Sequence, residues 1–90
     1  MTEIEVIITN NTGLHARPAA QFVQKAASFS CQVKIAGNNK MANGKSILAV
    51  MGMGLTKNTK LTITAEGADE KNCITVLQDL IKSNFGEDKV

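Results

Sequence analysis

The stretch EIEVIITNNTGLHARPAAQFVQKAA, residues 3–27, changes its period halfway along. Its first part alternates: Ile4, Val6 and Ile8 fall on one face, with Glu3, Glu5 and Ile7 on the other. A period of two is that of a half-buried strand. Asn10-Asn11-Thr12-Gly13 then supplies turn chemistry, since Asn and Gly tolerate left-handed backbone. From Ala16 the spacing becomes helical, with Ala16, Ala19, Ala20, Val23, Ala26 and Ala27 forming one apolar stripe. Pro18 is compatible because the first helical turn has no internal partner for its missing N–H.

The same reading extends outward. Val33 and Ile35 alternate with polar neighbours in a second strand, and Gly37-Asn38-Asn39 turns the chain into a short third strand around residues 40–42. Ser46 is placed to cap a short helix over residues 47–53, with Gly54 to end it. Leu61, Ile63 and Ala65 alternate with Thr62, Thr64 and Glu66 in a fourth strand. Asp69 is expected to cap a last helix, whose buried face is Cys73, Val76, Leu77, Leu80 and Ile81, with Gly86 just beyond its end. The order is β-α-β-β-α-β-α. Each strand has one apolar face, which predicts an α+β domain: an antiparallel sheet covered by helices on one side and wet on the other.

Composition narrows the function classes. Ninety residues form one small domain, able to bury only ~60–65% of its unfolded surface. With only three aromatics, the core must be aliphatic. A net charge of +2, with no basic run, argues against direct nucleic-acid binding. The longest uninterrupted apolar run, Ile47 to Met51, is too short for a membrane span, and no export signal is apparent. A cytoplasmic monomer is expected, with Cys31 and Cys73 as reduced thiols. One histidine and two scattered cysteines offer no metal-ligand spacing, and no cofactor is expected. Gly44-Lys45-Ser46 imitates the end of a phosphate-binding loop, but Asn39 stands where that motif requires glycine.

His15, the only histidine, immediately precedes the predicted helix start. Free backbone N–H groups and the positive end of the dipole converge there, favouring an anion and a neutral, nucleophilic imidazole. Arg17 adds a planar cation able to grip phosphate oxygens. The pattern alone leaves open that His15 merely caps the helix and that Arg17 is a solvated charge. The all-apolar run after Ser46 raises a second question. Val50 and Met53 can point inward, leaving Ile47, Leu48 and Met51 on an outer face suited to docking, although a deeply buried helix would have the same composition.

Gly13-Leu14-His15-Ala16-Arg17-Pro18-Ala19-Ala20 resembles the active-site signature of HPr, the histidine-containing phosphocarrier family of the bacterial sugar phosphotransferase system. The similarity spans nearly the whole chain, through Lys45-Ser46-Ile47-Leu48 to Ala65-Glu66-Gly67-Ala68-Asp69-Glu70. The resemblance implies an open-faced β-sandwich with strand order 1-4-2-3 and three helices on one face. It further implies that His15 takes phosphate on Nδ1 from phosphorylated enzyme I and donates it to sugar-specific IIA domains, with Arg17 steadying the group. Ala20, Ile47, Leu48 and Met51 correspond to the family's docking face. Residues 45–51 resemble the regulatory serine site of Gram-positive relatives, where a kinase phosphorylates the residue matching Ser46 and creates a corepressor for a catabolite control protein. Ala49 stands where those relatives commonly have glycine, and enteric relatives carry the serine without that kinase. Two alternatives stay open: a purely regulatory module of this fold, which His15 argues against, and a carrier for a nitrogen or redox branch.

Overall fold

The computed structural model describes residues 1–9, 13–14, 16–83 and 85. The expected turn at Asn10-Asn11-Thr12, His15 itself and Gly86 lie outside the described residues. The elements follow the expected order: β1 (Thr2–Ile7), α1 (Ala16–Ala27), β2 (Gln32–Gly37), β3 (Lys40–Asn43), α2 (Ile47–Gly52), β4 (Lys60–Glu66) and α3 (Glu70–Lys82). The strands form one antiparallel sheet in the order β1-β4-β2-β3.

Register carries the alternation across the sheet. Ile4 pairs with Ile63, Ile63 with Ile35, and Ile35 with Ala42, so one row faces the helices. The next row, Glu3, Thr64, Lys34 and Asn43, faces water. Asn38 and Asn39, at φ 51° and 61°, form the two-residue turn between β2 and β3. Left-handed backbone at both central positions matches the twist of paired strands, and asparagine tolerates it. The Asn38 side-chain amide donates to the Met53 and Gly54 carbonyls at 3.2 and 3.0 Å, tying the hairpin tip to the end of α2.

Three expectations are corrected. The buried face of α1 is Pro18, Ala19, Phe22 and Ala26, not the alanine stripe; Ala16 and Ala27 are exposed, and Ala20 and Val23 half-buried. At 100° per residue this turns the helix by roughly a quarter turn. The cause is Phe22, whose ring buries more apolar area than several alanine methyls. On α3, Ile74 joins Cys73, Leu77 and Ile81 in the core, while Val76 and Leu80 are half-buried. Asp69 does occupy the N-cap position of α3 but makes no side-chain capping bond. Its carboxylate instead accepts the Ser30 and Cys31 N–H groups at 2.8 and 2.9 Å, fastening α3 to the entrance of β2. The Ser30 bond, more than any other contact, holds the Asp69 pKa below its ordinary value.

Glu70 is the acidic residue in the first turn of α3. It accepts from the Thr2 hydroxyl, pairs with the Met1 ammonium at 3.1 Å and takes the Gly67 N–H at 3.2 Å. Among the described residues, no helix is long and apolar enough to cross a membrane.

Candidate functional site

Helix α1 begins at Ala16, the residue after His15. The chain on the near side of His15 is tightly held. Gly13 has φ +64°, and Leu14 is buried and donates its N–H to the Leu55 carbonyl at 2.9 Å. An added Cβ at Gly13 would fall 2.4 Å from that same oxygen, so only glycine lets the two segments approach this closely. The loop after α2 also grips the end of β1, with Ile8 N–H bonded to the Thr59 carbonyl at 2.9 Å and Asn58 N–H to the Ile8 carbonyl at 2.6 Å. The backbone at Gly13 and Leu14 is thus fixed shortly before α1 begins, and unpaired N–H groups at a helix start favour an anion.

Arg17 is exposed in the first turn of α1 and makes no ion pair among the described residues. Its guanidinium is therefore available to an arriving anion. Leu55 is the residue the sequence reading missed here. A buried leucine between Gly54 and the polar run Thr56-Lys57-Asn58-Thr59 was its only signal.

Helix α2 packs beside α1. Val50 is fully buried and Met53 is 2% exposed, whereas Ile47, Leu48 and Met51 are 39%, 81% and 40% exposed. This is the outward apolar face inferred from composition; the deeply buried alternative does not hold. Its three large side chains lie next to the helix carrying half-buried Ala20. Ser46 caps α2 with extended backbone, φ −115° and ψ 112°, its hydroxyl oxygen accepting the Ala49 N–H at 3.4 Å. The cap leaves Ser46 half-buried, at the edge of the apolar face.

Gly44-Lys45-Ser46 is engaged internally. The Gly44 N–H donates to the Val33 carbonyl at 2.8 Å, and the Lys45 ammonium donates to the Phe29 carbonyl at 2.6 Å. Neither group is aimed at an open phosphate cradle.

The open-faced sandwich, with the tightly held Gly13-Leu14 pair shortly before α1, has the architecture of the small phosphocarrier class. The family model described as "PTS HPr component phosphorylation site" matches residues 2–83. HPr-C-His from Thermoanaerobacter tengcongensis is similar at 48% identity, over 98% of this chain and 99% of that one, with a TM-score of 0.94. The Mycoplasma histidine-containing phosphocarrier protein is 37% identical over 92% and 96%, with a TM-score of 0.86. The Bacillus subtilis catabolite-repression protein Crh, described as a domain-swapped dimer, is 34% identical over 93% and 97%, with a TM-score of 0.73. The chain belongs to the HPr family of phosphocarrier proteins of the phosphotransferase system.

Proposed function

We propose that this chain carries a phosphoryl group on His15, taking it from phosphorylated enzyme I and passing it to sugar-specific IIA domains in the cytoplasm. The observation that carries the reading is the family-model match over residues 2–83, a span that includes His15, with α1 starting at the next residue. In the accepting step the His15 Nδ1 lone pair attacks phosphorus in line, and the bond from phosphorus to the donor nitrogen breaks. Catalysis then consists mostly of positioning and charge stabilisation. The N–H groups at the start of α1 face the phosphoryl oxygens, and the Arg17 guanidinium binds them as a planar fork. The group remains transferable because a labile phosphorus–nitrogen bond joins it to His15, while the hydrogen bonds only orient it and offset its charge.

The partners cover Ile47, Leu48 and Met51 together with the Ala20 side of α1, burying apolar area that otherwise faces water. Ser46 serves as a regulatory phosphorylation site, read by an HPr kinase and a catabolite control protein. Its position at the N-terminus of α2 favours added negative charge. The purely regulatory reading, suggested by the similarity to Crh, would make Ser46 the working residue and His15 idle.

The deciding experiment incubates the protein with phosphoenolpyruvate and purified sugar-branch enzyme I and measures acid-labile mass gain. One phosphoryl group is expected on the wild type and none on His15→Ala, which should fold normally. Phosphorylation of His15→Ala to the wild-type extent would overturn the assignment. No gain on the wild type would favour the regulatory module or a different phosphotransfer branch.

A further inference from the structure

Methionine occurs four times, at positions 1, 41, 51 and 53, and the fold gives each a different surrounding. Met53 belongs to the core and is 2% exposed. Met41 is 74% exposed on β3, where alternation with core-packed Ala42 turns it to the wet face of the sheet. Met1, 79% exposed, precedes β1. Only Met51 combines exposure, at 40%, with a place in the apolar face of α2. Ile47 and Leu48, four and three residues earlier, share that face by helix geometry.

The thioether of Met51 is apolar but oxidisable. Conversion to the sulfoxide gives a flexible apolar side chain a strongly polar S–O group. From Ile47 to Gly52 there is no polar side chain, so α2 offers that oxygen no side-chain donor, and water supplies its hydrogen bonds. Covering the face with a partner strips this water away and buries an unpaired acceptor. Neither thiol competes for an oxidant in solution, because Cys31 and Cys73 are both buried.

We propose that Met51 is a peroxide-sensitive modification site whose sulfoxide weakens docking of enzyme I, a regulation that rests on the docking role given to this face above. The oxidant is hydrogen peroxide. A lone pair of the Met51 sulfur attacks one peroxide oxygen, the O–O bond breaks as the S–O bond forms, and a proton transfer leaves sulfoxide and water. The sulfur loses two electrons and the peroxide gains them, so the step balances. A methionine sulfoxide reductase reverses it with a dithiol, returning thioether, water and a disulfide. Docking is lost while His15 is untouched, so the device is a reversible brake on phosphoryl entry, distinct from charge added at Ser46.

The test treats the full chain with hydrogen peroxide, removes the excess with catalase and maps oxygen gain by peptide mass spectrometry. Met1, Met41 and Met51 should each gain one oxygen while Met53 stays unmodified. Steady-state transfer from phosphorylated enzyme I should then show KM raised about tenfold with kcat retained, and reductase treatment should restore KM. With each variant compared to its own untreated form, Met51→Leu should lose the response to peroxide and Met41→Leu should keep it. Melting curves should show the treated chain folded at the assay temperature. An unfolded treated chain, an unmodified Met51, an unchanged KM or a response that survives in Met51→Leu would overturn the proposal. Leu48→Glu, at an 81% exposed position, separates that failure from failure of the docking reading. A raised KM in Leu48→Glu with no effect of the Met51 sulfoxide would overturn the proposal alone, and no effect of either would overturn the docking face as well.

Discussion

Gly13 and Gly54 share one backbone angle, φ +64°, but differ in what a side chain would meet. At Gly54 nothing lies within 4 Å of an added Cβ. At Gly13 that atom would sit 2.4 Å from the Leu55 carbonyl oxygen and 2.7 Å from the Thr56 Cα, both main chain and neither able to swing aside. Gly54→Ala should therefore cost only the left-handed penalty, ~1–2 kcal/mol. Gly13→Ala carries the same penalty and must also separate the two segments, stretching the Leu14–Leu55 hydrogen bond of 2.9 Å at a buried residue. Losing a buried backbone bond adds ~1–3 kcal/mol, for a total of ~2–5 kcal/mol. At ~4–8 °C per kcal/mol for a domain of this size, Gly13→Ala should melt at least ~8 °C below wild type and clearly below Gly54→Ala. Thermal melts and urea titrations of the two variants in parallel measure the difference directly. Because Gly13 leads into His15, Gly13→Ala should also accept phosphate more slowly at a temperature where it is fully folded. Stabilities for the two variants within ~0.5 kcal/mol of each other would refute the close approach as the constraint on this turn.

Arg17→Lys should slow transfer from enzyme I by roughly tenfold to a hundredfold, the worth of one charge-assisted bond that a point charge cannot reproduce; rapid-quench kinetics at the wild-type rate would reduce Arg17 to a surface charge. Ser46→Asp should weaken association with enzyme I about tenfold or more, since it sets a charge beside exposed Ile47 and Leu48, while the NMR signals of the His15 ring stay in place. Unchanged affinity with a displaced ring signal would mean that coupling runs through the fold. For Glu70, the Thr2 hydroxyl, then the Met1 ammonium and the Gly67 N–H, lower the carboxyl from 4.5 to about 2. Between those values the folded chain binds fewer protons than the unfolded one, so this stabilisation is complete above ~4.5 and is lost as pH falls towards ~2. Glu70→Gln should flatten that part of the melting-temperature profile, and equal slopes would contradict the reasoning.

The element order was legible because its signals are local. Alternation in β1 and β4, the asparagine pair at the β2–β3 turn and the serine before α2 each act within a few residues of where they stand. The outer face of α2 was legible for a different reason. A six-residue helix over a thin core can hide Val50 but not every apolar neighbour, so the sequence could offer exposed Ile47, Leu48 and Met51 as one of two readings, and the structure decided between them. The rotation of α1 was not legible. Counting apolar positions weighs an alanine like a phenylalanine, whereas burial weighs them by area, and Phe22 decides the angle. Asp69 misled for a related reason: a residue with capping chemistry also suits any pair of free N–H groups, and the loop at Ser30 and Cys31 presented a better pair.

The same distinction applies to the site itself. The residues that would do the chemistry, His15 and Arg17, lie two positions apart in a short motif, so the sequence displays them together. The residues that set their backbone come from elsewhere. Leu14 is held by Leu55, and Leu55 follows α2, whose far end is tied in turn to Asn38 on the β2–β3 hairpin. A substitution in the hairpin would therefore disturb α2, the apolar face beside it and the backbone at Gly13 and Leu14 through one chain of hydrogen bonds. That chain offers a physical route by which the docking proposed for Ile47, Leu48 and Met51 would reach Gly13 and Leu14, and the comparison of Gly13→Ala with Gly54→Ala probes its tightest link.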